Sequence, residues 1–179
     1  MPNILLGVTG SIAAYKAAEL ASGLVKAGHS VHVVMTQSAC AFVTPLTFQT
    51  LTRNKVHTHM FERLNEVQVE HVSLAQTADL AIVAPATANS IAKLAQGIAD
   101  DMLSTVLLAY PPQKPLLLAP AMNTAMLEHP ATQANLRLLQ QRGVCILAPR
   151  SSRLACGDVG RGAMAEVEQI LTGIAEALA

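Results

Sequence analysis

Three side chains in this sequence have the types needed to work on a molecule that carries both a carboxylate and a sulfur. They are the imidazole of His71, the carboxamide of Asn123 and the thiol of Cys156. Asn123 closes Pro120-Ala121-Met122-Asn123, and Cys156 stands in Ala155-Cys156-Gly157-Asp158, among small residues. An amide donates to a carboxylate, an imidazole gains and loses protons near neutral pH, and a thiol is a weak acid. The opening Gly7-Val8-Thr9-Gly10-Ser11-Ile12-Ala13-Ala14 reads as a strand-to-helix turn, where backbone N–H groups can cradle a phosphate.

The elements that must position these groups follow from apolar periodicity. Strands are expected at Ile4–Val8, Val31–Met35, Leu80–Ala84, Leu116–Ala119 and Val144–Leu147, each a short and mostly apolar run. A helix from about Ile12 to Lys26 stops at Gly28, and a last helix covers Val167–Leu178. Repeating βα units make an α/β fold, here one Rossmann-like or flavodoxin-like domain over residues 1–179 with a parallel sheet and helices on both faces. Ligands of such sheets bind at the carboxyl ends of the strands. Those positions hold Thr9-Gly10-Ser11, Thr36-Gln37-Ser38, Pro85-Ala86-Thr87-Ala88-Asn89-Ser90, Pro120-Ala121-Met122-Asn123, and a long loop from Pro149 to Met164. One hydroxyl there is usually a plain helix cap; four clusters on one edge point to a site.

Composition removes several functional classes. Lys plus Arg equals Asp plus Glu at 12 each, so there is no electrostatic footprint for nucleic acid or an anionic membrane. No apolar run reaches the roughly 20 residues that span a bilayer, and the N-terminus lacks the basic region of a signal peptide. With 51% hydrophobic residues and few charges, part of the surface is expected to be covered in a homo-oligomer. Cys40, Cys145 and Cys156 lack metal-ligand spacing and suit a reduced, cytoplasmic protein. Cys145 is expected in a strand core and Cys40 in a buried helix position. His57 and His59 alternate without a carboxylate or thiol cluster, so no metal site is expected; His29, His32 and His129 read as surface or helix-end residues.

The spacing Gly7-x-x-Gly10-x-x-Ala13 and the absence of an acid at the end of the second strand count against a dinucleotide, and Lys16 does not belong to a Walker loop. A mononucleotide with one phosphate fits the uncharged donors, and FMN is the redox candidate. Beside the imidazole, amide and thiol, it suggests a flavoenzyme acting on a cysteine-like substrate.

Gly10-Ser11-Ile12-Ala13-Ala14-Tyr15-Lys16, His71 in His-Val-Ser-Leu-Ala, Ala84-Pro85-Ala86-Thr87-Ala88-Asn89, Pro120-Ala121-Met122-Asn123 and Ala155-Cys156-Gly157-Asp158 resemble the homo-oligomeric flavin-containing cysteine decarboxylases over essentially the whole chain. Within that family the likeness is greatest to the stand-alone form acting on 4′-phosphopantothenoylcysteine in coenzyme A biosynthesis. The resemblance implies that the substrate thiol is oxidised to a thioaldehyde by hydride transfer to FMN, that carbon dioxide leaves, and that the enethiolate is reduced to 4′-phosphopantetheine.

It further implies His71 as proton acceptor and donor, Asn123 as partner of the carboxylate and Cys156 as proton donor in the reduction. Gly10, Ser11, Ile12, Thr36, Gln37, Ser38, Thr87, Ala88, Asn89, Ser90 and Ala121 are carried over as FMN neighbours. Asn123, Arg153, Leu154, Ala155 and Met164 are carried over as substrate neighbours, within a lid formed by residues 153–164. The implied assembly is a homotrimer, or trimers gathered into a dodecamer, with the active site at subunit contacts. One departure is Gly160-Arg161-Gly162-Ala163-Met164, where many members carry arginine at the position of Ala163. Relatives of the family act on peptidyl cysteine, prenylate flavin, or inhibit phosphatases by protein contact. Cys156 argues against the first, the His71 and Met-Asn pattern against the second, and the absence of an acidic extension against the third.

Overall fold

Along β1 (Asn3–Val8), alternate residues enter opposite apolar layers: Ile4, Leu6 and Val8 one of them, Leu5 the other. A strand apolar on both sides must be covered on both sides, and the rest of the chain does this. The computed structural model describes residues 1–60, 70–153 and 159–179, without the side chains of Arg153 and Val159. The chain continues through α1 (Ala14–Lys26), β2 (Ser30–Met35), α2 (Gln37–Cys40), α3 (Pro45–Thr52), β3 (Val56–His57) and α4 (Glu70–Thr77). Then come β4 (Leu80–Ala86), α5 (Ala88–Gln96), α6 (Met102–Ala109), β5 (Leu116–Pro120), α7 (Thr124–Glu128) and α8 (Pro130–Gln141). β6 (Cys145–Ile146), β7 (Arg150–Arg153), β8 (Val159–Ala163) and α9 (Val167–Ala177) complete it.

Six strands form one parallel sheet in the order β3-β2-β1-β4-β5-β6. Leu20 and Leu24 of α1, Phe48 of α3 and Ile170 and Ile174 of α9 fill one layer. Leu74 of α4, Ile91 of α5, Leu103 and Val106 of α6 and Leu139 of α8 fill the other. Gly7 lets α6 approach the sheet, because a Cβ there would lie 2.7 Å from Leu103 Cδ1. The chain winds outward from β1 toward β3 and from β4 toward β6, so α1 and α5 leave neighbouring strands on opposite faces. That reversal opens a crevice at the carboxyl ends of β1 and β4.

The expected strands are present, with differences that have physical reasons. The fifth shortens from Val144–Leu147 to Cys145–Ile146, and Cys145 is exposed, which corrects its expected place in the core. An edge strand has one partner, and here Leu147 packs against one apolar layer and Val144 and Ile146 against the other. Cys40 is half-buried at the end of α2. β3, absent from the sequence reading as a defined strand, adds the other edge through Val33 and Val34 of β2. His32 lies half-buried on β2, with its Nε2 3.3 Å from Ser30 Oγ, and is not a surface or helix-end residue. His129 does stand at a helix start, where its Nδ1 accepts from Ala131 N. The loop expected from Pro149 to Met164 carries an antiparallel hairpin, β7 with β8. Among the described residues, no helix is long and apolar enough to cross a membrane.

Candidate active site

Thr9 Oγ1 holds the crevice together. It donates to Pro85 O at 2.7 Å and accepts from Thr87 N at 3.1 Å, so a buried hydroxyl joins the ends of β1 and β4. The turn after β1 is then shaped by its own backbone: Ser11 N donates to Thr9 O, and Ala14 N to Ser11 O. These bonds put Ile12 and Ala13 in the turn and start α1 two residues later than expected. Gly10 presses on Ser38 so closely that no Cβ would fit between them. The first turn of α5 presents backbone N–H groups not used inside the helix, with Thr87 Oγ1 capping Ser90 N at 3.3 Å.

A cleft of about 520 Å³ opens here. Gly10, Ser11 and Ile12 meet Thr87 and Ala88 across it, with Ala121, Met122 and Asn123 from the end of β5. Met164 and Ala163 close the side formed by the hairpin. Thr36, Gln37, Ser38, Asn89 and Ser90 do not line it. Thr36 caps α2 by accepting from Ala39 N at 3.2 Å, Gln37 Nε2 donates to Thr58 O, and Ser90 stays beside the Thr87 hydroxyl. Arg153 ends β7, and its side chain lies outside the described residues, as do Leu154, Ala155 and Cys156. Arg161 is exposed and does not line the cleft, where Ala163 presents only a methyl group.

Asn123 lies three residues beyond β5 as the cap of α7. Its Oδ1 accepts from Ala125 N at 2.8 Å and so caps the helix. The hairpin docks on this turn: Met122 N donates to Gly162 O at 2.9 Å. Gly162 has φ +149°, and a Cβ there would collide with the Met122 carbonyl oxygen. At Gly162 the need for glycine is close approach of two backbones.

His71, half-buried on α4, is not among the described residues that line the cleft. Its helix is pinned from the preceding residue. Glu70 Oε1 lies 2.8 Å from Lys55 Nζ and 2.9 Å from His57 Nδ1. The His57 contact is one of charge and distance, with no in-line N–H···O bond. Burial pushes the His57 imidazole below its usual 6.5, against the upward pull of Glu70 and with a smaller downward push from Lys55 and His32. Burial pushes the Glu70 carboxyl up, but Lys55 and His57 outweigh it and hold it below the usual range. Both depressed groups bind fewer protons folded than unfolded, so stability rises with pH across their windows. The unfolding temperature should therefore be level above about pH 7 and fall as the pH drops below 6.5, with Glu70 adding a second loss nearer its own range. His57→Gln should flatten the first part of that curve; a curve unchanged in His57→Gln would remove His57 as its source.

Among the described residues, no group of three or more His, Cys, Asp or Glu side chains converges on a metal site. A flavin mononucleotide matches what is present: apolar walls for a ring system, uncharged hydroxyl and N–H donors for one phosphate, and no acid after β2 for a second ribose.

A doubly wound sheet with a phosphate-type turn at its switch point defines a mononucleotide-binding α/β protein. The chain belongs to the flavoprotein family, whose model matches residues 1–179. It is 48% identical, over 98% of its length and 98% of the relative's, to a probable phosphopantothenoylcysteine decarboxylase of Streptococcus mutans. It is 53% identical, over 94% of its length, to the coenzyme A biosynthesis bifunctional protein CoaBC of Bacillus subtilis, and spans only 41% of that relative. Its structure is similar to a cysteine-to-serine variant of a PPC decarboxylase complexed with pantothenoylaminoethenethiol, with TM-score 0.87, 32% identity and coverage of 98% and 97% of the two chains. It is also similar to the FMN-binding protein AtHal3, with TM-score 0.82, 33% identity and coverage of 98% and 95%.

Proposed function

We propose that this chain decarboxylates 4′-phosphopantothenoylcysteine to 4′-phosphopantetheine in coenzyme A biosynthesis, with FMN as its cofactor. The observation that carries this reading is the docking of the β7–β8 hairpin on the Ala121–Asn123 turn. It brings the strands that flank Cys156 against the amide suited to a substrate carboxylate. The likeness to phosphopantothenoylcysteine decarboxylases over nearly the whole chain supports the same activity.

Gly10, Ser11, Ile12, Thr87, Ala88 and Ala121 would hold FMN. When bound, FMN supplies the two-electron oxidation and later re-reduction of the thiol-bearing carbon, which makes loss of carbon dioxide feasible. Asn123 Nδ2 orients the carboxylate. The apolar walls exclude water and strengthen that hydrogen bond. His71 exchanges the substrate's proton, and Cys156 Sγ returns a proton to the enethiolate.

The reading includes a homotrimer, alone or assembled into a dodecamer, in which a neighbouring copy brings His71 to the cleft. Two features support it: His71 does not line the cleft of its own chain, and at the rim Ile12, Tyr15 and Met126 are 58%, 61% and 51% exposed. A monomer in sedimentation would contradict it. The unpaired Cys40 and Cys145 suit a cytoplasmic location.

The deciding experiment incubates the purified flavin-loaded protein with 4′-phosphopantothenoylcysteine and weighs the product. Loss of carbon dioxide alone supports the full cycle. Loss of carbon dioxide and two hydrogens would indicate an enzyme that stops at the enethiol, as peptidyl-cysteine decarboxylases do. Unchanged substrate would point to a binding or regulatory protein.

A further inference from the structure

The cleft contains a charge arrangement that the flavin and the carboxylate chemistry leave unused. Among the described residues lining it, two are cationic: Lys16 from α1 and Arg150 from β7. Both are held by one carboxylate. Glu166 Oε2 lies 3.0 Å from Lys16 Nζ, and Glu166 Oε1 lies 2.8 Å from Arg150 Nε. Arg150 Nε also donates to Met164 O at 3.2 Å. The guanidinium is thus anchored by its Nε edge, and its two Nη groups have no partner among the described residues. Lys16 spends one of three protons on Glu166. With Glu166 ionised, its carboxyl held low by Lys16 and then Arg150, two positive charges against one negative leave a net charge of +1.

We propose that Lys16 and Arg150 form a receptor for a phosphate monoester in this cleft, and that it takes the phosphate of the substrate, a step that rests on the proposed function. A phosphate monoester carries between one and two negative charges at neutral pH and accepts the paired N–H groups of arginine. The side chains here are 17% and 35% exposed, so an anion would displace little water and meet oriented donors. A second phosphate could reach the cleft on the flavin. That one already has an uncharged seat, the Gly10–Ser11 turn and the first turn of α5. Arg150 stands at the base of the hairpin, on the side where the hairpin meets the Asn123 turn. Glu166 sets the spacing of the two cations and keeps them extended when no anion is bound.

The test compares the flavin-loaded wild type, Arg150→Met and Arg150→Lys. Each is given 4′-phosphopantothenoylcysteine and its dephosphorylated form, and binding of inorganic phosphate is measured by calorimetry on the same samples. The wild type should prefer the phosphorylated substrate in kcat/KM. Arg150→Met should lower that preference by about 10- to 100-fold, chiefly through KM, and should lose phosphate binding. Arg150→Lys should recover part of both. A preference unchanged in Arg150→Met, or absent in the wild type, overturns the proposal. So does a purified Arg150→Met protein that has lost its flavin, because the receptor would then serve the cofactor. If the wild type converts neither substrate, the proposed function fails. Phosphate binding that depends on Arg150 then still supports the receptor, and its absence overturns that too.

Discussion

Replacing His71 by asparagine should abolish carbon dioxide release while leaving the protein yellow. Asparagine keeps a polar group of similar reach but cannot take up and return a proton near neutral pH, and positioned acid–base catalysis contributes roughly 10²- to 10⁴-fold. The flavin should remain because its proposed seat, Gly10, Ser11, Ile12, Thr87, Ala88 and Ala121, is unchanged, and His71 does not line that cleft in its own chain. The same fact gives a sharper form of the prediction. If the site is completed across a subunit contact, His71→Asn and Asn123→Ala damage different halves of it. Each variant alone should be inactive, whereas chains unfolded and reassembled together should regain activity through sites that unite one intact His71 with one intact Asn123. Turnover at the normal rate in His71→Asn removes the imidazole from the mechanism. An inactive mixture of assembled chains would place both groups on one subunit.

Replacing Cys156 by serine should separate the two halves of the reaction. A hydroxyl is a far weaker acid than a thiol, so decarboxylation should proceed and the return of a proton to the enethiolate should not. The expected product is lighter than the substrate by carbon dioxide and two hydrogens, and the bound flavin should stay reduced, its yellow colour lost. The slowing of complete turnover should reach about 10²-fold or more. Phosphopantetheine formed at the usual rate by Cys156→Ser would end the proton-donor assignment. Because serine is nearly isosteric, a loss of folding is not the expected cause of failure.

The two variants also show where the site could be read in advance. Gly10-Ser11-Ile12, Thr87-Ala88 and Ala121 each follow an apolar run that ends at the same edge of the sheet. Strand order in a doubly wound fold then brings them together whatever the details of packing. Asn123 was legible for the same reason. Thr9 stands in the first of those clusters, but the sequence does not show that its hydroxyl bridges to Pro85 and Thr87. The signal is a hydroxyl directly after the apolar run of β1, where a buried polar group needs a partner, found here at the end of β4.

Legible in the chain before folding are the alternation of strands and helices, the two-sided burial of the central strands, and the phosphate-type turn at the end of the first. These depend on residues near one another in the chain, where period and turn chemistry leave few alternatives. Tertiary structure alone decided the rest. Cys145 turns outward because its strand is short and at an edge. Glu166 gathers Lys16, 150 residues earlier, and Arg150 around one carboxylate. The hairpin reaches Met122 only because Gly162 has no side chain. His71, which the resemblance implies as proton acceptor and donor, sits on α4, and only the packed fold places it outside the lining of its own chain's cleft. Each of these depends on which faces meet once the helices have packed, and that depends on shape and volume across the whole core.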